Sequence, residues 1–430
     1  MVRSTATDLG LGSSPWVRGW CPTLFEPMAA SDGLLANVKP RARGWTAGDL
    51  RAIAAAGALH GSGRFLLTNR GNLQVRGLSA GSAAAFAETM VAAGLASASL
   101  EAERRRSILM AAAHTREAQS IGARLEDWLE SGVPEALASL PSKFCFAVTS
   151  EDAHGDCAAA DICIHVDQRH NWVAACAGDV AALTDDPVSA VAAITGAFLR
   201  MAGARSERPR RLKDLVSDEG VAALFAAAGL EATPFPPRPP AAIDPDLAGG
   251  APPPARVGPL GGGEFGLGIP FGRADVAMLN AIAEIAERLA NGRLRPTVHR
   301  TFNLSGTPRD RLPDLSAAAE RAGMIVACGD PRLRVAACSG GSGCARTVVD
   351  IVDTAESLAP LWRGKGMLHV SGCAKGCAHP ESAAVTLVAG SAGDRFSVLH
   401  DSRADAVASR SMTLAEVREE LTRGGDRGCS

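Results

Sequence analysis

Short apolar runs alternate with amphipathic stretches along the chain, and this pattern sets out the elements before any chemistry is considered. Leu34 to Val38, bounded by Gly33 and Pro40, reads as a strand. Thr46-Ala-Gly-Asp49 has the form of a helix start, with Leu50, Ile53 and Ala54 on one face behind it. Arg64 to Thr68 is a second strand and Ala80 to Leu95 a second helix, which together make a small open α+β unit. Arg104 to Met110 reads as an arginine cluster running into a strand, and His114 to Trp128 as a helix. Leu140 to Val148 is a strand, and Asp161 to Val166 with Trp172 to Ala175 forms a hairpin. Asp186-Pro187 opens a further helix with cap and first-turn proline in their preferred places, followed by the stripe Val188, Val191, Ile194 and Phe198.

The second half repeats this order. Gly63 to Arg70 matches Gly292 to Arg300, which places Arg70 and Arg300 at equivalent strand ends beside Asn69 and His299. Ala159 to Ile164 and Trp172 to Ala175 match Ser382 to Leu387 and Phe396 to Leu399. The helix from Pro187 to Leu199 matches Thr413 to Leu421, which has its own capping box at Thr413 and Glu416. Matching positions stay roughly 223 to 230 residues apart, the mark of an internal duplication. Residues 233–263, rich in proline and glycine, cannot bury apolar surface and read as a linker between the halves, while residues 1–18 read as a flexible tail.

Composition narrows the class. The 430 residues allow several domains, and 44 basic against 46 acidic side chains leave a net charge of −2. That balance argues against a general binder of nucleic acid or membrane surface. No apolar run reaches the roughly 20 residues needed to cross a bilayer, and the first residues lack a secretory apolar segment. Eleven cysteines in such a chain fit a reducing cytoplasm better than a disulfide scaffold, so a cytoplasmic location is expected.

Four of the cysteines form a set. Cys338 and Cys344 flank a gap of five small residues, three of them glycine, and Cys373 and Cys377 flank Ala-Lys-Gly. A helix from Ile351 to Leu358 and a strand from Met367 to Ser371 separate the pairs, so two loops can meet at one sheet edge. Four thiolates suit an iron–sulfur cluster or structural zinc. Zinc knuckles take cysteines two to four residues apart, whereas a cubane needs wider, glycine-rich loops, and the spacing favours the cluster. The other seven cysteines, Cys21, Cys145, Cys157, Cys163, Cys176, Cys328 and Cys429, show no pairing pattern and read as small buried hydrophobes or surface thiols.

Cys-x5-Cys followed by Cys-x3-Cys resembles the [4Fe-4S] signature of the nitrite and sulfite reductases. Val370 to Pro380 and Asn69 to Gln74 resemble the branch of that family acting in aerobic cobalamin synthesis. The resemblance covers roughly residues 19 to 422. It implies an α+β, internally duplicated fold of two ferredoxin-like half-domains and two α+β cluster-type domains. The expected boundaries are 19–95 for the first half-domain and 96–232 for a first reductase-type domain without cluster. Residues 264–322 are the second half-domain, and 323–430 the domain carrying the cluster on Cys338, Cys344, Cys373 and Cys377.

The expected activity is that of an oxygen-dependent monooxygenase, hydroxylating precorrin-3A at C-20 with γ-lactone formation. Its implied cofactors are the cluster and a mononuclear non-haem iron, and its implied partners are dioxygen and a separate NAD(P)H-linked electron donor. No nucleic acid or membrane partner is expected.

An anionic tetrapyrrole needs convergent positive charge, which forked arginines supply well. The candidates are Arg70, Arg76, Arg106, Lys143, Arg293, Arg295 and Arg300, each of which taken singly also reads as a solvated surface cation. Arg70, Arg106, Lys143 and Arg300 are the expected substrate-binding set, the first three by likeness to reductase residues and Arg300 by the duplication. The reductases carry Lys-x-Lys where this chain has Lys143-Phe-Cys145, so one clamp on a small oxyanion is missing. A sirohaem-dependent sulfite or nitrite reductase, with sirohaem as cofactor, is therefore the second reading, and a metal-stapled scaffold the third. His60, His114, His299, His369 and His379 could each ligate iron, but no two fall at a spacing that aims both at one metal.

Overall fold

The computed structural model describes residues 21–110, 115–131, 137, 139–150, 160–167, 171–175, 180–234, 257–341, 343–408 and 410–425. The expected tail, most of the expected linker, His114, Cys157, Cys176 and Cys429 lie outside the described residues.

Four sheets make up the described fold, and they come in two matched pairs. The first ferredoxin-like sheet runs Met28–Ala30, Gly33–Val38, Leu73–Leu78, Arg64–Leu67 and Arg273–Asp275. The second runs Gly258–Gly261, Glu264–Gly268, Thr301–Leu304, Arg293–Pro296 and Trp45–Thr46. Each sheet is closed by a strand from the other half of the chain. Arg273 pairs with Leu66 in the first, and Leu294 pairs with Trp45 in the second. The helices Ala47–His60 and Val276–Leu289 lie over them, and one core runs through both halves, from Trp45, Leu50 and Ile53 to Phe265, Ile282 and Phe302. The expected linker is structured at both of its described ends, each paired within its own half. Gly258–Gly261 is a strand of the second sheet, and Thr233–Pro234 pairs with Val180–Thr184.

The other two sheets share a topology. In one, Ile108–Met110, Phe146–Ser150 and Ile162–Val166 are parallel neighbours, then Asn171–Ala175 and Val180–Thr184 follow antiparallel. In the other, Val335–Ala337, Leu368–Ser371 and Ala383–Ala389 are parallel, and Arg395–Ser402 and Arg410–Thr413 follow antiparallel. The duplication seen along the chain is thus a duplication of fold.

Local chemistry explains most of the element starts. Thr46 and Asp49 form a reciprocal capping box, as do Thr413 and Glu416 at the last helix. Two readings change. Asp186 does not cap its helix through its side chain, because that carboxylate accepts from Ser189 Oγ and pairs with Arg124 at 2.7 Å. The arginine cluster does run into a strand, Ile108–Met110, but it begins in an unforeseen helix, Leu100–Arg105, with Glu101 and Glu103 in its first turn and Arg104 and Arg105 in its last. That charge order matches the helix dipole. Among the described residues, no helix is long and apolar enough to cross a membrane.

Candidate active site

Cys338 directly follows strand Val335–Ala337, and Cys373 lies two residues past its parallel neighbour Leu368–Ser371. Loops leaving the carboxyl ends of adjacent parallel strands open into one crevice, so both cysteine pairs reach the same space. Cys338, Cys344, Cys373 and Cys377 all line one cavity of about 660 Å³. The loops are tight where they approach each other. The Gly372 N–H points at Cys338 Sγ at 3.2 Å, and a Cβ on Gly372 would lie 2.4 Å from Thr347 Cγ2. Gly340 and Gly376 turn at φ of 68° and 61°, which suits glycine. Burial pushes the Cys338 thiol up, and the backbone N–H groups of Gly372 and Gly340 pull it back toward the thiolate. Burial likewise raises Cys377, with Lys375 opposing it.

This donor set fits a cluster. Four thiols line one cavity, and the glycines let the two loops pack closely around it. Yet among the described residues no three His, Cys, Asp or Glu side chains are placed to hold a single metal ion. A lone zinc would draw its sulfurs to about 2.3 Å, and a cluster several Å wide holds them farther apart. The same observation bears on the mononuclear iron expected from the resemblance: the described residues offer no ligand set for it. His369 and His379 do meet, with ring centroids 5.8 Å apart, although their sequence spacing did not suggest a pair. His369 is fully buried, neither ring nitrogen has a hydrogen-bond partner among the described residues, and burial, His379 and Arg300 lower its pKa to about 4.

The other walls come from the opposite half of the molecule. Met28 to Ala30, Leu35 and Arg76 belong to the first ferredoxin-like sheet, Ser31 to the turn between its first two strands, and Lys143 precedes strand Phe146–Ser150 of the first repeat. Arg76, Lys143, Arg346 and Lys375 give the lining its charge, and no acidic side chain is among the described residues that line it. Arg346 and Lys375 were missed in the sequence. Their signal was position, since one follows Cys344 by two residues and the other stands between Cys373 and Cys377.

The expected substrate-binding residues separate. Lys143 lines the cavity, and Arg70 sits beside it, donating from Nη1 to the Lys143 carbonyl at 3.2 Å. Arg106 does not reach the cavity. It is 1% exposed, and its guanidinium is taken up by Glu103 at 3.0 Å and Glu126 at 3.3 Å, and by the carbonyls of Lys39 and Pro40. It is a buried structural cation, which corrects the expectation.

Arg300 is also reassigned. Its N–H donates to the Thr297 carbonyl as Gly71 donates to Thr68, and its φ of 58° matches the 64° of Gly71. The counterpart of Arg70 is therefore His299, and Arg300 stands where the first copy has a glycine. Its Nη2 donates to the Ala378 carbonyl at 3.2 Å, behind the cysteine loop. Among the other candidates, Arg293 is exposed and Arg295 is buried against the carbonyls of Arg41 and Ala42.

Cys145 also lies away from the cavity. It packs with Leu109, Ala147, Cys163 and Val298, its N–H donates to Asp161 at 2.9 Å, and burial raises its thiol pKa. Cys163 is buried as read, but it is disulfide-bonded, which its sequence context did not suggest.

The duplicated sheets and the four-cysteine crevice define a protein of the nitrite and sulfite reductase fold. Residues 261–322 match the nitrite/sulfite reductase ferredoxin-like half domain. The chain is similar in fold to the solved structure of the Mycobacterium tuberculosis NirA protein, with a TM-score of 0.66 and 17% identity, covering 91% of this chain and 80% of that one. It is 29% identical over 389 residues to a curated precorrin-3B synthase of Sinorhizobium sp, spanning 87% of this chain and 82% of that protein. The resemblance drawn from the cysteine motifs is borne out by these relatives.

Proposed function

We propose that this protein is an oxidoreductase of cobalamin biosynthesis, a monooxygenase that hydroxylates precorrin-3A at C-20 with formation of a γ-lactone. One observation carries the reading. The cysteine crevice opens onto a large cavity whose described charged lining is wholly basic, which is what a polycarboxylate macrocycle requires. The likeness to the Sinorhizobium precorrin-3B synthase over most of both chains supports the same substrate class.

The chain's own residues bind and orient. Lys143 presents an ammonium to the macrocycle's acetate or propionate groups, and Arg70 braces it through its carbonyl while adding a second positive charge. Arg76 is fixed by Asp32 with two contacts of 2.8 Å, so it forms a rigid wall. Met28 to Ala30 and Leu35 cover an apolar flank. Cys338, Cys344, Cys373 and Cys377 would hold a [4Fe-4S] cluster, which supplies single electrons when bound. A separate NAD(P)H-linked donor would reduce it, dioxygen is the co-substrate, and the cytoplasm is the expected compartment. No step is assigned to a mononuclear iron.

Sirohaem-dependent reduction of sulfite or nitrite is the competing reading. It is disfavoured because Cys145, in place of a second lysine, is neutral and buried away from the cavity. The test supplies purified enzyme with precorrin-3A, a reductant and 18O-labelled dioxygen. Label in the hydroxylated product is expected. Unlabelled product, or rapid sulfite turnover with sirohaem absorption bands, would overturn the proposal.

A further inference from the structure

Each cysteine loop is gripped by one arginine, and the two arginines come from different ferredoxin-like halves. Arg76, on strand Leu73–Leu78, donates from Nη2 to the Gly343 carbonyl at 2.8 Å, one residue before Cys344. Arg300, in the turn between Arg293–Pro296 and Thr301–Leu304, donates from Nη2 to the Ala378 carbonyl at 3.2 Å, one residue after Cys377.

Their charges are handled in opposite ways. Arg76 is neutralised by Asp32 and also donates to Gln74 Oε1 at 3.0 Å. Arg300 has no carboxylate partner among the described residues, and burial alone lowers its pKa. It also sits in left-handed backbone, a strained position for a non-glycine residue. The first copy of the turn avoids that strain with Gly71. Gly272 makes room for the side chain, since a Cβ there would lie 2.8 Å from Arg300 Cδ. A buried, strained and uncompensated cation needs an anion close by. The carbonyl it grips belongs to Ala378, which directly follows Cys377.

We infer that Arg300 is a positioning residue whose fixed charge is balanced by an anionic cluster on the four cysteines, and that it raises the cluster's reduction potential. Arg76 holds the other loop with its charge already cancelled, so it contributes geometry rather than potential. The inference rests on the cluster reading of the cysteines. A cluster gains one negative charge on reduction, and a nearby positive charge favours the reduced form.

The test compares the anaerobically purified full-length holoenzyme with Arg300→Gln, Arg300→Lys and Arg76→Gln. Iron and sulfide content and an EPR-monitored redox titration are measured on each. The Arg300→Gln midpoint is expected to move to more negative potential, Arg300→Lys to restore most of it, and Arg76→Gln to shift it less than Arg300→Gln. An unchanged midpoint in Arg300→Gln overturns the inference. So does a midpoint in Arg300→Lys as low as that of Arg300→Gln, or a loss of tetrapyrrole affinity with potential unaffected. If Arg300→Gln does not retain its cluster, Arg300→Lys decides: a midpoint near wild type supports the inference, and a strongly negative one refutes it. Wild-type protein free of iron and sulfide would sink the cluster reading itself, a result distinct from any midpoint shift.

Discussion

Cys373 shows what single atoms decide here. In the proposed cluster its thiolate would be a ligand that a serine hydroxyl does not replace at neutral pH. Cys373→Ser is expected to lose iron and sulfide while the sheets that carry no cysteine loop keep their fold, read by metal analysis and circular dichroism. Full retention of both elements would remove Cys373 from the ligand set. Lys143→Ala is expected to weaken tetrapyrrole binding by about 1.5–3 kcal/mol, roughly 10- to 150-fold in Kd, as for a lost charge-assisted contact. An unchanged Kd by fluorescence quenching would place Lys143 outside the binding surface.

Glu264 is not among the described residues lining the cysteine cavity and gives a test by pH. Burial raises its carboxyl to about 7, against opposing pulls from Ser305 and Arg295. The folded value lies above the unfolded one of about 4.3, so the unfolded chain releases the proton first. Its stabilising contribution is complete below about pH 4.3 and is lost as pH rises to about 7, a change of about 4 kcal/mol. Glu264→Gln is therefore expected to raise Tm at pH 8 relative to its effect at pH 4.5. A Tm difference independent of pH would mean Glu264 is ionised in the fold.

At the scale of elements, the site depends on how closely two loops approach after adjacent parallel strands. Gly372 lacks a side chain because Thr347 fills that space, not because its backbone needs unusual angles. Gly372→Ala is expected to displace Cys338 and cut iron content to below half of wild type, and a Thr347→Ala change in the same chain to restore much of it. If Gly372→Ala alone binds iron normally, the loops have more slack than their contacts indicate.

Helix starts were legible at this scale, since Thr46 with Asp49 and Thr413 with Glu416 act within four residues. Asp186 was misread because its carboxylate takes the Ser189 hydroxyl and the distant Arg124 in place of a backbone N–H of its helix. The helix Leu100–Arg105 was not seen because six residues with acidic start and basic end give little periodicity.

On the scale of the whole molecule, the cation read as a substrate clamp is a joint. Arg106 draws together Glu103, Glu126 and the carbonyls of Lys39 and Pro40, tying the first ferredoxin-like sheet to helix Arg116–Ser131. Removing one partner of a buried ion set leaves uncompensated charge, at about 3–5 kcal/mol. Arg106→Met is therefore expected to lower the unfolding midpoint in urea substantially while leaving the Kd for tetrapyrrole nearly unchanged in protein that remains folded. A selective loss of affinity would return Arg106 to the cavity.

The sequence by itself determined the cysteine set, the duplication and the likeness to the reductases, because each is a matter of spacing along the chain. Cys-x5-Cys, Cys-x3-Cys and the repeated order of strands and helices survive without knowledge of any contact. Only the tertiary structure decided where the cations go. Arg70, Arg106 and Arg300 look alike in one dimension, yet one sits beside Lys143, one is buried among carboxylates and one stands where the repeat has Gly71. A long flexible side chain takes its role from the charges that folding brings near it, and those come from residues far away in sequence. The exchange of Trp45–Thr46 and Arg273–Asp275 between the sheets was hidden for the same reason, since strand pairing between halves leaves no local pattern.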